Sequence, residues 1–100
     1  MRVGCPKEIK NNEYRVGLTP SATREYVGHG HQVIIETGAG AGIDASDADY
    51  EAAGATIAAN AAEVFKTADM VVKVKEPQPA EWAQLREGQI LYTYLHLAPD

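Results

Sequence analysis

The stretch Gln32-Val33-Ile34-Ile35-Glu36-Thr37, followed by Gly38-Ala39-Gly40-Ala41-Gly42, decides the fold. Its first six residues have a β-branched apolar centre and run into a glycine cluster, the pattern of a buried strand that stops at a turn. Toward the N-terminus, Thr19-Pro20 reads as an N-cap with proline at the first helical position, which predicts a helix to about Val27 that Gly28 and Gly30 terminate. Before it, Lys7 to Leu18 is polar, contains Asn11-Asn12 and reads as a loop or hairpin, while Arg2 to Cys5 forms a short, buried first strand. Toward the C-terminus, Ser46-Asp47-Ala48-Asp49 has the form of a capping box opening a helix through Ala53, closed by Gly54. Ala55 to Ile57 reads as a third strand, Asn60 and Glu63 as a second capping box for a helix to about Thr67, and Asp69 to Lys75 as a strand carrying Met-Val-Val-Lys-Val. Pro77 and Pro79 then break the chain, Glu81 to Arg86 is expected as a helical turn, and Gln89 to Leu95 as the last strand. Strands alternating with helices predict an α/β domain around an open, mainly parallel sheet with flanking helices.

Composition narrows the function classes. One hundred residues make one domain, 45% hydrophobic and 23% charged, which is globular rather than disordered. The formal net charge is −5, and the nine Lys and Arg are scattered, which argues against an electrostatic nucleic-acid or membrane-surface binder. Apolar runs are too short to span a bilayer, and Met1 to Gly4 begins no apolar secretory segment, so a cytoplasmic location is expected. The single cysteine, Cys5, forms no internal disulfide, and cysteine-ligated zinc is excluded by count; His29 and His31 lack nearby further ligands, so no metal site is expected. The chain stops at Leu97-Ala98-Pro99-Asp100, where a further element would begin, and reads as a segment of something longer.

The glycine cluster tempts a dinucleotide-binding reading, but that fingerprint requires G-x-G-x-x-G opening directly into a helix. Here the sixth position is Ile43 and the helix begins several residues later, so a flexible strand-to-helix loop is the better expectation. In open α/β sheets, ligands sit beyond the carboxyl ends of the strands. Arg15 follows the first strand, Lys75 ends the fourth and His96 follows the last. An Arg fork, a Lys point charge and an imidazole suit a small carboxylate with a carbonyl or amine beside it: Arg grips the carboxylate, Lys polarises an oxygen and His moves a proton near neutral pH. Each also has a structural reading. Arg15 could be a solvated charge, Lys73 and Lys75 the wet side of a half-buried strand, and His96 a structural imidazole. Glu8, Glu13 and Glu76 are candidates to pair with Lys7, Arg15 and Lys75 at the surface, where such pairs contribute little. Tyr92 and Tyr94 share one strand face, with Tyr94 a pocket-lining candidate; Phe65 and Trp82 read as core or interface anchors.

The opening Met1-Arg2-Val3-Gly4-Cys5-Pro6-Lys7-Glu8, the runs Asn11-Asn12-Glu13-Tyr14-Arg15-Val16 and Leu18-Thr19-Pro20, and then Glu36-Thr37-Gly38-Ala39-Gly40, Tyr50 to Ala55, Lys73-Val74-Lys75-Glu76-Pro77 and Tyr94-Leu95-His96-Leu97-Ala98 closely resemble the alanine dehydrogenase and nicotinamide nucleotide transhydrogenase family, in order and across essentially the whole chain. The Lys-Val-Lys-Glu-Pro run and the His after the last strand resemble the dehydrogenase branch rather than transhydrogenase α-subunits. Cys5 stands where the family usually has an aliphatic residue.

The resemblance implies a Rossmann-like sheet, the N-terminal part (residues 1–100) of the substrate domain of a two-domain dehydrogenase. It implies reversible, NAD-dependent oxidative deamination of L-alanine to pyruvate and ammonium. Arg15 and Lys75 would hold the substrate carboxylate and oxygen, His96 would donate and accept the proton, and Tyr94 would line the pocket. NAD would be bound by a domain absent from this chain, so no cofactor-binding residue is expected here and the segment alone should be inactive. A homohexamer is the usual assembly. The alternatives are a transhydrogenase-like NAD(H) subunit beside a membrane proton pump and a non-catalytic, stand-alone carboxylate-binding module.

Overall fold

Thr19 starts the first helix as its sequence predicts. In the computed structural model, which describes residues 1–9 and 13–93, its hydroxyl accepts the N–H of Ala22 at 3.1 Å and Pro20 takes the first helical position. The elements are β1 (Arg2–Cys5), α1 (Pro20–Gly28), β2 (Gln32–Glu36), a 3-10 turn (Ala41–Ile43), α2 (Asp47–Ala52), β3 (Thr56–Ala58), α3 (Ala61–Thr67), β4 (Met70–Lys73), α4 (Pro79–Trp82) and β5 (Ile90–Thr93). Ser46 and Asp49 form the reciprocal capping box of α2. At α3 the box is only half formed: Asn60 accepts the N–H of Glu63, while the Glu63 carboxylate reaches the N–H of Ala59 instead. The helical turn expected over Glu81 to Arg86 begins earlier, at Pro79, because Pro fits the first position and Glu81 caps Gln78 from the third.

Among the described residues the sheet is parallel throughout, in the order β3-β2-β1-β4-β5. The chain winds outward from β1 to β3, then returns across β1 to place β4 and β5 on its other side. Alternation along β1 divides the core. Val3 and Cys5 join Val33, Ile35, Val72 and Tyr50 on the side covered by α1 and α2. Gly4 faces α3, so closely that a Cβ there would lie 2.7 Å from Ala68 Cβ and 2.8 Å from Val64 Cγ1. Phe65, Ala68 and Val71 form the core on that face. Full burial of a side chain such as Phe65 contributes about 1.5–3 kcal/mol.

The C-terminal carbonyls of α3 would be orphaned beneath this layer. Arg86 and Gln89, arriving with the approach to β5, donate to Phe65 O and Ala68 O. Phe65 is therefore the core anchor its sequence suggested, whereas Trp82 is 63% exposed, with its indole N–H donated to Pro77 O. No helix among the described residues is long and apolar enough to cross a membrane.

Candidate active site

The strand order reverses between β1 and β4, and a ligand crevice in such a sheet opens beyond the carboxyl ends of the strands at that point. Glu8, three residues past β1, bridges the two strand ends. Its carboxylate accepts from Lys73 Nζ at 3.1 Å, from Val74 N at 3.0 Å and from Lys75 N at 3.3 Å. Lys73 Nζ also lies 3.1 Å from Glu81 Oε2, and all three side chains are at most 2% exposed. The expectation that Lys73 is on the wet side of its strand is therefore wrong: its ammonium is neutralised from two sides inside the protein, which makes burial tolerable. Glu8 is likewise an interior partner of Lys73, not a surface partner of Lys7. Spacing could not reveal this, because the three residues come from separate segments.

Lys75 lies two residues beyond β4 rather than at its end, and its backbone N–H is held by Glu8. Glu13 is the hub for the other predicted cations. Arg15 donates from Nε to Glu13 Oε2 at 2.9 Å and from Nη2 to Oε1 at 3.0 Å, and its backbone N–H reaches Oε2 at 2.8 Å. Lys75 Nζ stands 3.9 Å from the same Oε1. The Arg15 fork, followed by the nearby Lys75 charge, holds the Glu13 carboxyl below its ordinary range. Arg15 itself is largely exposed, with 62% of its side chain accessible, so its guanidinium can meet a ligand from solvent. The structure thus brings Arg15 and Lys75 to one carboxylate, beside a cavity of about 360 Å³ lined by residues including Lys7, Glu8, Glu13, Arg15, Gly38 and Gly42. A larger cavity of about 450 Å³ lies at the opposite, N-terminal ends of β1 to β3, lined by residues including Arg2, His31, Gln32 and Thr56, away from these cations.

The loop bearing Arg15 is seated by glycines. A Cβ on Gly17 would stand 2.5 Å from Val72 O, and one on Gly42 would stand 2.1 Å from Tyr14 O. Only a residue without a side chain allows the backbones this near. The glycine cluster is therefore a closely packed support, not the flexible loop its sequence suggested. Its residues do not fit a dinucleotide. The space above Gly42 is taken by the Tyr14 backbone, only a 3-10 turn and no α-helix opens directly from the cluster, and Asp47 already accepts the Gly38 N–H at 2.9 Å and the Thr37 hydroxyl at 2.5 Å. A carboxylate on that N–H repels the phosphate that would need it.

Tyr94 and His96 lie outside the described residues. They follow β5, whose last residue, Thr93, registers against Lys73 at the carboxyl edge of the sheet. His29 Nδ1 lies 2.8 Å from Glu25 O, and the His31 ring meets Tyr26 edge-on at 6.0 Å.

A doubly wound parallel sheet with paired cations beyond its strand ends at the switch point defines the class of open α/β domains whose ligand crevices lie at that edge. The sequence matches the family described as alanine dehydrogenase/PNT, N-terminal domain, over residues 4–100, and the chain belongs to that family. It is 56% identical over 100 residues to the alanine dehydrogenase of Halomonas elongata and 57% identical over 100 residues to that of Methanococcus maripaludis; each match covers 100% of this chain and 27% of the relative. It therefore spans about a quarter of the length of those relatives. Among solved structures, an L-alanine dehydrogenase superposes with a TM-score of 0.91 at 52% identity, covering 97% of this chain and 27% of that one. A transhydrogenase from Sinorhizobium meliloti superposes at 0.88 with 34% identity, covering 95% and 28%.

Proposed function

We propose that this chain is the N-terminal part of the substrate domain of an NAD-dependent L-alanine dehydrogenase, which interconverts L-alanine, NAD and water with pyruvate, ammonium, NADH and a proton. The observation that carries the reading is the meeting of Arg15 and Lys75 on one carboxylate at the carboxyl edge of the sheet. Glu13 engages only part of the Arg15 guanidinium, and a guanidinium with donors to spare beside an ammonium is chemically suited to the carboxylate of alanine or pyruvate. Arg15 orients that carboxylate, and Lys75 polarises the adjoining oxygen of pyruvate. His96, one strand end away in sequence, takes a proton from the water that adds to the imine carbon and returns it in the reverse direction. Tyr94 lines the pocket.

The glycine cluster does not fit a dinucleotide, and NAD in this reading binds in another domain of the full-length protein; the segment alone is then inactive. The working protein is cytoplasmic and homohexameric in this reading, with no nucleic-acid or membrane partner. The first test is NADH absorbance on mixing the full-length protein with NAD and L-alanine at mildly alkaline pH. A rise that is lost in His96→Ala supports the proposal. No rise from an intact, NAD-binding protein overturns it and favours the transhydrogenase branch or a silent binding module.

A further inference from the structure

The two cations of the substrate site arrive already sharing one internal carboxylate. Arg15 and Lys75 carry two positive charges, and Glu13, 4% exposed and in contact with both, removes one. Its hydrogen bonds from Arg15 and the neighbouring charges keep it ionised well below neutral pH, so this count holds under working conditions. The cluster therefore presents one net positive charge to a ligand, although it has two cationic arms.

We propose that Glu13 is a charge-specificity residue, which sets the site to accept monoanionic 2-oxo acids and to reject dianions of the same shape. This rests on the substrate reading above. One carboxylate balances the net charge of the cluster. Of the cations lining the cavity only Lys7 stands outside this sharing, and a second carboxylate on the ligand would also face Glu13, where like charges disfavour each other in a partly desolvated cleft. Glu13 also holds the Arg15 backbone N–H, so a purely supporting role is the competing explanation, and the two roles differ in what removal of the charge does. If Glu13 only supports the loop, replacing it weakens all anions alike. If it sets charge, replacing it favours the dianion selectively.

Oxamate and oxalate separate these cases, because they are nearly isosteric and differ by one negative charge. Calorimetric binding of each to the full-length protein in the presence of NADH is the measurement. The wild-type protein is expected to bind oxamate at least about tenfold more tightly than oxalate. Glu13→Gln, which keeps an oxygen to accept the Arg15 N–H, should shift that ratio toward oxalate by about tenfold. Glu13→Asp, which keeps the charge, should retain the wild-type preference. Equal weakening of both ligands in Glu13→Gln overturns the proposal in favour of a supporting role. Should the variants fail to fold, the wild-type ratio still decides: equal affinity for the two ligands overturns the proposal. A wild-type protein that binds neither oxamate nor pyruvate overturns the substrate reading itself, and the charge role with it.

Discussion

Glu8 accepts a hydrogen bond from Lys73 at 3.1 Å across a separation of 65 residues, in the interior. Glu81 faces the same ammonium, so the group is two carboxylates around one cation. Removing Lys73 leaves two buried carboxylates with no neutralising partner. Lys73→Met is expected to destabilise the protein by about 3–5 kcal/mol despite filling the space of the aliphatic stem. Urea unfolding checks this through the midpoint shift; an unchanged midpoint would mean that the three groups are more solvated than their burial indicates.

Gly42→Ala should act on the proposed substrate site without touching a charged group. The added Cβ would meet Tyr14 O at 2.1 Å, so the loop carrying Arg15 must move. The expected outcome is a rise of about tenfold or more in KM for pyruvate, with a smaller change in kcat. Steady-state kinetics of the full-length variant test it. A fall in kcat at constant KM would show that the loop orients the chemistry rather than the carboxylate.

Arg15→Ala and His96→Ala should divide along the roles proposed for them. Loss of the Arg15 fork weakens binding and appears chiefly in KM. Loss of the proton-transfer group at His96 lowers kcat by about 100-fold or more. Retained turnover in His96→Ala, measured by NADH formation, would remove it from the chemistry.

Asp47 gives a pH dependence with a definite sign. Its bonds from the Thr37 hydroxyl and the Gly38 N–H lower its folded-state pKa below the ordinary aspartate value. The unfolded chain therefore binds the proton first, and the stabilisation is present above the ordinary aspartate range and lost as pH falls through the lowered folded value. Asp47→Asn should be less stable than wild type at neutral pH, with the gap closing in acid. Tm measured from pH 7 to pH 3 tests this; a constant gap would show that the hydrogen bonds matter and the charge does not.

Cys5 should be inert in the folded state. It is fully buried, and burial pushes its thiol up to about 12, far from the thiolate that alkylating reagents require. Iodoacetamide should label it slowly under native conditions and rapidly in urea. Equal labelling in both would indicate that β1 opens readily.

The local elements were legible because their signals are local. Thr19-Pro20, Ser46 with Asp49, and the β-branched run at Ile34 and Ile35 place their elements within a residue or two of where they lie. Arg15 and Lys75 were legible as neighbours at the carboxyl edge because charges beyond parallel strand ends converge by topology. Glu13 was visible only as a candidate surface partner for Arg15. Its contact with Lys75 depends on how two loops dock, which leaves no periodic trace.

By itself the sequence determined the succession of strands and helices, the parallel α/β class and the cations at the carboxyl edge, since caps, apolar period and residue chemistry act over a few positions. Only the tertiary structure decided that Lys73 is interior, that the glycine cluster is a packed support for the Arg15 loop rather than a flexible connection, and that Glu13 stands between the two cations. Those outcomes depend on backbone approaches and ion pairs between distant segments, whose strength is set by distance and burial once the chain has closed on itself.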